Sequence, residues 1–486
     1  MLRPYRGNIF LGNLLNCQML CPYIFYIPHP SLSPIFPMKL LRIIFALLVA
    51  FVVTIAPMSP AWAFCGFYVA KADTKLYNKA SQVAIARQGD RTVLTMANDY
   101  QGNVKDFALV IPVPVVLKKE QVKVGDPGIL ERLDAFSAPR LVEYFDENPC
   151  NSYTRSEDSA QVPRAAAPAR GVGRANEQRL GVTIEARFTV GEYDILILSA
   201  KESDGLQTWL TQNGYKIPNG AKELLQPYIK QKMKFFVAKV NLTEFEKTGF
   251  QSLRPLMMAF ESRKFMLPIR LGMVNAQSEQ DLIVYMLTSE GQVELANYRT
   301  VKVPSDVEIP VYVKSEFGEF YKSMFKTAYD RADRRVAFME YAWDMSSCDP
   351  CSAEPLTPAE LKKAGVFWLD QPASSSPGFR RRPPQNNGVF ITRLHVRYTR
   401  DKFPEDLVFQ QTSNRGQFQG RYVLRHPFKG EATCQAGEQY RRELPKRLER
   451  EAQTLAKLTG WNIQDIRKKT DIGQTGTTPW WRSVFP

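Results

Sequence analysis

The sequence predicts an α+β fold of mainly antiparallel β-sheet, with several short helices and a helix-rich C-terminal tail. One observation is that β-rich runs recur along the whole chain, and turn residues often separate them. A second is that the helical patterns between these runs are short. The third is composition: 44% hydrophobic and 12% aromatic residues are typical of a chain that buries a core, and not of a disordered one.

The first β-rich region predicts a hairpin and a third strand. SQVAIARQGDRTVLTMAN places two strands around Gln88, Gly89 and Asp90, and glycine in such a turn is a hairpin signal. DFALVIPVPVV (106–116) predicts a third strand. Its prolines place this strand at a sheet edge, because proline lacks the amide hydrogen that a ladder requires. A helix follows in DPGILERLDAF.

The middle of the chain mixes strands with short helices. GVTIEARFTVGEYDILILSA predicts further sheet, and DGLQTWLTQNG and AKELLQPYIKQ predict two helices. Strands follow in MKFFVAKVNL, LMMAF and FMLPIRLGMV, and DLIVYMLTSEGQVELANYRTVKV predicts a second hairpin about Glu290 and Gly291. EFYKSMFKTAYDRAD predicts an amphipathic helix, and RRVAFMEYAW another strand. In LTPAELKKAG, Thr357 caps a helix and Glu360 completes a capping box.

Two stretches are typical of flexible linkers. Residues 155–181 are rich in Ala, Arg, Pro and Gly, and residues 370–388 contain a run of Ser, Pro and Arg. They separate a β-rich first domain (64–154), a second α+β domain (182–369) and a basic C-terminal region (389–486). In this last region VFITRLHVRYT and GRYVLRHPF predict strands, and leucines at helical spacing predict the helical tail.

A secretory signal is predicted near the N-terminus. The apolar run Ile43–Ala56 is fourteen residues long, whereas a membrane-spanning helix needs roughly 20. Lys39 and Arg42 precede it, and small residues lead to a cleavage site between Ala63 and Phe64. We therefore expect an exported mature protein, periplasmic or extracellular, without a transmembrane helix.

The predicted signal peptide does not need the residues that precede it. Residues 38–63 already have the full length of a signal peptide, which is typically about 15–30 residues. We therefore infer that translation starts at Met38 and that residues 1–37 are an over-extended reading frame.

Basic charge is concentrated at the C-terminal end. The chain has a net charge of +15; residues 64–377 contain 39 basic and 39 acidic residues, whereas residues 378–486 contain 21 and 10. Such an excess can attract an anionic membrane surface or an envelope polysaccharide. Nucleic acid is not an expected partner outside the cytoplasm. The candidate anion-binding residues are Arg380, Arg381 and Arg382.

Five cysteines remain after the predicted cleavage, and in an oxidising compartment all are candidates for disulfides. They are Cys65, Cys150, Cys348, Cys351 and Cys434. The odd number leaves one thiol over, and the sequence does not determine the pairing.

The motif CDPC (348–351) allows three interpretations. It can form a local disulfide, a redox dithiol, or half of a zinc site completed by His426 and Cys434. A disulfide is favoured, because export favours oxidation and the motif does not begin a helix. We predict no metal and no cofactor.

Hydrolytic chemistry is a further alternative. Cys434 with His426 as base is one conceivable arrangement, and dispersed carboxylates are another, since Glu143 and Asp146 lie close in sequence. No catalytic residue can be assigned from the sequence. His395 lies within a strand pattern and is interpreted as structural.

Several long strings resemble one known family. They are CGFYVAKADTKLYNKASQVAIARQGDRTVLTMANDYQG, FALVIPVPV, TVGEYDILILSAKESDGLQTWLTQNGYKIP, KFFVAKVNL, LRPLMMAFES, MLPIRLGMVNA and CDPC. Together they resemble the bacterial family catalogued as domain of unknown function 2330. The resemblance implies an exported bacterial protein, but it supplies no activity, cofactor or catalytic residue.

The sequence thus favours a non-enzymatic binding or scaffolding protein of the cell envelope, whose basic C-terminal region meets an anionic partner. An extracytoplasmic hydrolase is the main alternative, and a thiol redox protein that uses CDPC is a weaker one.

Overall fold

The structure is a computed structural model. It describes residues 67–70, 77–78, 81–97, 100–101, 107–151, 182–201, 203–212, 220–248, 253–274, 279–347, 349, 353–369 and 388–470. Within these ranges, no helix has both the length and the apolarity that crossing a bilayer requires.

The strands are, in chain order, β1 (Phe67–Ala70), β2 (Tyr77–Asn78), β3 (Ser81–Gln88), β4 (Arg91–Met96), β5 (Tyr100–Gln101), β6 (Phe107–Val113), β7 (Val122–Val124), β8 (Arg140–Phe145), β9 (Val182–Val190), β10 (Tyr193–Ala200), β11 (Lys234–Val240), β12 (Leu256–Glu261), β13 (Met266–Leu267), β14 (Gln280–Thr288), β15 (Val293–Leu295), β16 (Arg299–Lys302), β17 (Val307–Glu308), β18 (Val336–Asp344), β19 (Phe390–Tyr398), β20 (Leu407–Gln411), β21 (Phe418–Gln419) and β22 (Arg421–His426).

The α-helices are α1 (Gly128–Ser137), α2 (Ser203–Gln212), α3 (Ala221–Lys230), α4 (Leu242–Thr248), α5 (Phe317–Arg331), α6 (Pro358–Lys363), α7 (Gln435–Thr459) and α8 (Ile463–Lys469). Short 3-10 segments occupy Lys119–Gln121, Arg270–Val274 and Val311–Glu316.

The predicted α+β class is confirmed. Five strands form an antiparallel sheet in the order β1-β6-β11-β10-β9, and β17, β22 and β8 form a small parallel sheet. The remaining small sheets are β13-β20-β15 and β2-β5. Antiparallel pairs predominate, and α7 with α8 gives the helical C-terminal region that the leucine spacing indicates.

The largest sheet takes its nine strands from all three segments that the sequence analysis separates. Its order is β16-β18-β19-β14-β3-β4-β12-β7, and β21 pairs with β18. Residues 64–154 supply β3, β4 and β7, residues 182–369 supply β12, β14, β16 and β18, and residues 389–486 supply β19 and β21. The two linker-like stretches therefore join parts of one sheet.

Local predictions are confirmed where neighbouring residues decide the structure. β3 and β4 form the first hairpin, with Gly89 in the left-handed region at φ +59°. In α6, the Thr357 hydroxyl accepts from the Glu360 amide, and the Glu360 carboxylate accepts from the Thr357 amide, as a capping box requires.

The prediction that the proline-containing strand lies at a sheet edge is wrong. β6 lies between β1 and β11. In the part of the chain that the structure describes, β1 pairs with Phe107–Val110, whereas β11 pairs as far as Val113. Pro112 therefore pairs with Phe235 of β11 and lies beyond the described pairs between β6 and β1.

The predicted second hairpin is also wrong, because β14 and β15 do not pair with each other. β14 lies between β19 and β3, and β15 pairs with β20. The turn contacts a distant loop: a Cβ at Gly291 would lie 2.4 Å from the carbonyl oxygen of Asn414. This close approach requires glycine at the turn. The reason for glycine here is therefore packing against the loop, and not the formation of a hairpin.

Two helices cover one face of the central sheet. Leu133 and Phe136 of α1 share a buried cluster with Tyr285 of β14. Phe325 of α5 stacks on His395 of β19, with ring centroids 3.9 Å apart. A row of charged side chains lies between these two helices; its middle members are at most 10% exposed, whereas the end members Asp134 and Arg397 are 40% and 19% exposed.

These six charges form what we call the buried charge row: Asp134, Arg393, Glu340, His395, Asp281 and Arg397. Arg393 donates from Nη1 to Asp134 Oδ1 (2.7 Å) and from Nε to Glu340 Oε2 (2.6 Å). His395 places Nδ1 2.7 Å from Glu340 Oε1 and Nε2 3.2 Å from Asp281 Oδ1. Arg397 completes the row with two hydrogen bonds to Asp281 (2.7 and 2.8 Å).

Alternating signs keep this row ionised. Burial by itself opposes ionisation of Glu340, but the positive charges of His395 and Arg393 lower its pKa to about 2. Burial would also lower the pKa of His395, but Glu340 and Asp281 raise it above its usual value. The sequence interpretation of His395 as a structural residue agrees with this environment.

A β-bulge positions Glu340. The register between β18 and β19 shifts between Met339 and Tyr341, so Glu340 is the extra residue of β18. Its carbonyl oxygen accepts from the Gly420 amide at 2.7 Å. The bulge thereby directs the Glu340 carboxylate to the sheet face that carries Arg393 and His395.

Removing the charge of Glu340 should destabilise the fold severely. Glu340→Gln leaves Arg393 and His395 buried without their shared counter-charge, and we expect the free energy of unfolding to fall by about 3–5 kcal/mol at pH 7. Chemical denaturation measures this. The matched control is Glu319→Gln on α5, where the side chain is 70% exposed and the expected change is within about 0.5 kcal/mol. A loss below about 1 kcal/mol for Glu340→Gln would contradict the structural role of the row.

Candidate anion-binding face

The longest helix, α7, has defined ends and one apolar side. Cys434 is its N-cap, with Sγ accepting from the Gly437 amide, and Gly460 ends it in the left-handed region at φ +75°. Ala452 and Leu455 are buried on its inner side. The helix is 25 residues long, which corresponds to about 37 Å.

The outer side of α7 carries a row of cations. We call Arg442, Lys446, Arg450 and Lys457 the basic row; all four are exposed. Their spacing of four, four and seven residues places them on one side of a helix with 3.6 residues per turn. Gln453 lies between the last two members and is also exposed.

Little negative charge neutralises this row. The only ion pair of Arg442 in the described part of the chain is with Glu438 at 3.8 Å, and both side chains are mostly exposed, so the pair is weak. Lys446, Arg450 and Lys457 have no ion pair with any residue that the structure describes.

Seven other cations of the C-terminal region are paired with acids from earlier in the chain. These pairs are Arg393–Glu340, Arg397–Asp281, Arg415–Asp344, Arg421–Asp306, Arg425–Glu308, Arg447–Asp146 and Lys469–Glu316. Much of the basic charge of this region is therefore paired within the protein, and the four cations of the basic row stay exposed on α7.

An exposed aromatic side chain lies at the end of β8. Phe145 is 69% exposed, and its ring stacks on His426 of β22 with centroids 4.4 Å apart. The Glu143 carboxylate contacts Lys314 Nζ at 2.6 Å and His426 Nε2 at 2.8 Å. These two hydrogen bonds lower the pKa of Glu143. The patch is therefore both aromatic and charged.

A disulfide and polar contacts attach this patch to α7. Cys150, which follows β8, is bonded to Cys434 at the start of α7. Asp146 accepts from the Tyr440 hydroxyl at 2.6 Å and contacts Arg447 Nη1 at 2.7 Å. The end of β8 and the first half of α7 therefore form one connected surface.

The disulfide contradicts two of the alternatives that involve Cys434. Its sulfur is bonded to Cys150, so it is neither a thiolate nucleophile nor a zinc ligand. His426, the proposed base or fourth ligand, pairs with Glu143 instead. No group of three or more potential metal-ligating side chains occurs among the described residues.

Several predicted site residues lie outside the described ranges. They are Ala63, Phe64, Cys65, Cys348, Cys351, Arg380, Arg381 and Arg382. Between the two cysteines of CDPC, Asp349 is buried and its carboxylate accepts from the Tyr341 hydroxyl and from Nε2 of Gln419, both at 2.8 Å. The proposed roles of the cysteines and of the arginine triplet remain predictions.

The carboxylates that could support a hydrolase have other partners. Glu143 and Asp146 pair with the cations described above. Glu192 is fully buried and contacts Arg254 Nη2 at 2.7 Å. The buried charge row also contains carboxylates. In this row, the ring of Phe325 covers the ring of His395. This arrangement leaves the histidine enclosed and not facing a cleft.

Sequence reasoning missed the basic row and Phe145. The spacing of Arg442, Lys446, Arg450 and Lys457 was readable as one side of a helix, because leucines mark the opposite side. No local pattern distinguishes Phe145, which alternates along β8 like a core residue. Its exposure depends on β8 being the outer strand of the β17-β22-β8 sheet.

A buried carboxylate lies on the inner side of the same helix. Glu451 is 2% exposed, and its Oε1 is 3.3 Å from Arg447 Nε. Asp146, Glu308 and Arg425 contribute the other nearby charges. Burial raises the pKa of Glu451 to about 7, against the smaller effect of Arg447.

A family model described as an uncharacterized protein conserved in bacteria (DUF2330) matches residues 59–410, which is well over half of the chain. No curated protein matches, and no solved structure matches.

The raised pKa of Glu451 should make stability depend on pH. The unfolded chain loses this proton near pH 4.5 but the folded protein only near pH 7, so the folded state binds more protons between these values and stability falls as pH rises through them. We expect Glu451→Gln to be more stable than the parent by about 1–3 kcal/mol at pH 8 and equal to it at pH 4. Chemical denaturation across this range measures the difference, with the exposed Glu443→Gln as control. A variant no more stable than the parent at pH 8 would contradict the assignment.

Proposed function

We propose a function for a chain that belongs to the bacterial family DUF2330: it is an exported, non-enzymatic binding protein of the cell envelope that attaches to an anionic polysaccharide. The family description itself assigns no activity. The proposal is therefore based on the surface chemistry of the described residues.

The basic row is the observation that carries this proposal. Four exposed cations on one side of α7 extend over about 22 Å, because fifteen residues separate Arg442 from Lys457 and each adds about 1.5 Å. A linear array of this length fits an extended polymer with regularly spaced negative groups better than a compact ligand with a single charge. Several weak contacts along one polymer add to an affinity that none of them provides alone.

The surroundings of the basic row favour a polysaccharide over a membrane. A helix that lies in a membrane interface presents large apolar side chains to the lipid beside its cations. Ala452 and Leu455 of α7 are buried, and its other leucines are half-buried. The exposed neighbours of the row include Gln439 and Gln453. The outer side of α7 therefore offers charge and hydrogen bonds, which suit a hydrated polymer.

The Cys150–Cys434 disulfide supports export. Such bonds persist in oxidising compartments and are rare where thioredoxin and glutathione keep thiols reduced. The bond joins residues 284 positions apart in the sequence, so it links elements that the folded chain must first bring together. This agrees with the predicted signal peptide at residues 38–63.

Neutralising the basic row should weaken binding to a polyanion. We expect Lys446→Gln/Arg450→Gln/Lys457→Gln to reduce the affinity for immobilised polygalacturonate about 10- to 100-fold at about 50 mM salt, because each cation near an anionic surface contributes about 1 kcal/mol. The affinity of the parent should also fall steeply as salt is increased.

The matched control removes the same charge from elsewhere. Lys119, Arg187 and Lys239 are also exposed, and their combined change to Gln should leave the affinity within about threefold of the parent. If both triple variants lose the same affinity for polygalacturonate, binding depends only on the net charge of the protein, and the role of the basic row is contradicted. Binding of the parent to phosphatidylglycerol vesicles, with none to polygalacturonate, would point to a membrane instead.

Export makes a prediction about the mature chain. The intact mass of the exported protein should correspond to a chain that begins at Phe64, and mapping without reduction should recover Cys150 and Cys434 in one linked peptide pair. Alkylation before and after reduction counts the free thiols. An unprocessed chain in the cytoplasm with both thiols free would contradict export.

A further inference from the structure

A buried carboxyl group lies where α7 packs on the small parallel sheet β17-β22-β8. We call this contact the α7 junction; it is formed by Glu451 and Arg447 of α7 with Asp146, Glu308 and Arg425. We propose that the α7 junction is a pH-sensitive switch, which weakens polyanion binding by the basic row when Glu451 loses its proton. This inference rests on the proposed function and adds its regulation.

Glu451 is enclosed but poorly partnered. It is 2% exposed, and neither of its carboxyl oxygens has a hydrogen bond within the described part of the chain. Arg447 Nε lies 3.3 Å from Oε1 of Glu451, but without the geometry of a hydrogen bond. By contrast, the equally buried Glu340 accepts hydrogen bonds from Arg393 and Tyr321. A buried carboxyl group without such bonds favours its neutral form.

The other charges of the α7 junction already balance one another. Arg447 Nη1 contacts Asp146 Oδ2 at 2.7 Å, and Arg425 Nε donates to Glu308 Oε1 at 2.8 Å. These two pairs together are neutral, so an ionised Glu451 is a third negative charge against two positive ones. With Glu451 protonated, the α7 junction is neutral.

Two other helices pack against α7, but their described polar contacts with it lie elsewhere on the helix. Arg331 of α5 donates to the carbonyl oxygen of Lys457, near the end of α7. Arg467 of α8 pairs with Glu449, and residues two positions apart on a helix do not face each other. The charges that act on Glu451 are therefore those of the α7 junction.

The switch operates near neutral pH. Burial raises the pKa of Glu451 to about 7, against the opposing effect of Arg447. Because the pKa is raised, the neutral α7 junction persists at acidic pH and is lost as the pH rises through about 7. The new negative charge then repels Asp146 and Glu308 on the sheet side of the junction, and this repulsion favours separation of α7 from the sheet.

The change reaches the basic row because the row and the junction share one helix. Lys446 directly precedes Arg447, and Arg450 directly precedes Glu451. A helix that is held less firmly must be ordered when the polymer binds, and this cost weakens association. The ionised carboxylate also adds a negative charge to the helix that the polymer contacts, which weakens binding in the same direction.

The pH dependence of polygalacturonate binding tests the switch. At about 50 mM salt, we expect the affinity of the parent to fall about five- to tenfold between about pH 5.5 and about pH 8.5. Lysine and arginine side chains and the carboxylates of the polymer keep their charges across this range. Glu451→Gln resembles the protonated acid, so its affinity should change less than about twofold over the same range.

Two control variants separate the α7 junction from other causes. Glu443→Gln removes the same charge from an exposed position of the same helix, so its affinity should still fall with pH as that of the parent does. His426 contacts Phe145 at the end of β8, and histidine also changes charge near neutral pH. His426→Gln should likewise keep the fall. A fall that His426→Gln abolishes, or that Glu451→Gln retains, would overturn the switch.

Hydrogen exchange tests the switch without a polymer. After correction for the intrinsic effect of pH on exchange, the amides of Gln435–Thr459 in the parent should exchange about three- to tenfold faster at about pH 8 than at about pH 6, relative to those of α5. The same amides of Glu451→Gln should show no such increase.

The outcomes separate the switch from the proposed function. Equal protection of α7 at both pH values in the parent would overturn the switch. Protection that depends on pH in a parent that does not bind polygalacturonate at either pH would overturn the polyanion function alone.

Discussion

The buried charge row is the constraint on which the central sheet depends. It joins α1 through Asp134, β18 through Glu340 and β14 through Asp281 to the three basic residues of β19. Buried charges are tolerated only where each has a partner in good geometry, so few arrangements of these elements satisfy the row. A slip of β19 by one residue would move Arg393, His395 and Arg397 to the opposite face of the sheet. The row therefore specifies register as well as contact.

Ion pairing within the protein also changes how the basic charge of the C-terminal region is interpreted. Its net charge suggests a tail that meets an anionic surface, but many of its cations pair with acids from the rest of the chain, among them Arg393, Arg415 and Arg425. These ion pairs thus attach the basic C-terminal region to the rest of the protein. Among the described cations that stay exposed, those on the outer side of α7 form a row that an external partner can contact, because the inner side of α7 packs against the core.

Local sequence was sufficient where the decisive contacts are local. Gly89 determines the first hairpin, and Thr357 with Glu360 determines the start of α6. Local sequence was insufficient where a residue distant in the sequence determines the structure. No sequence pattern near Glu340 predicts that this residue forms a bulge and contacts Arg393, 53 residues away. The cysteine spacing likewise does not predict that Cys150 pairs with a cysteine 284 positions later. The basic row was predictable as a helix side, but its lack of neutralising acids was not, since that depends on which carboxylates fold beside it.

Rigid attachment makes α7 suitable as a binding element. An isolated basic helix would lose conformational entropy on meeting a polymer, and this cost weakens association. Here the disulfide fixes the start of α7, Asp146 contacts its Tyr440 and Arg447, and Arg467 joins its middle to α8. The cations are therefore held in line before any partner arrives. Because the same contacts hold α7 in place before binding, the spacing of its cations is fixed, and a partner must match that spacing.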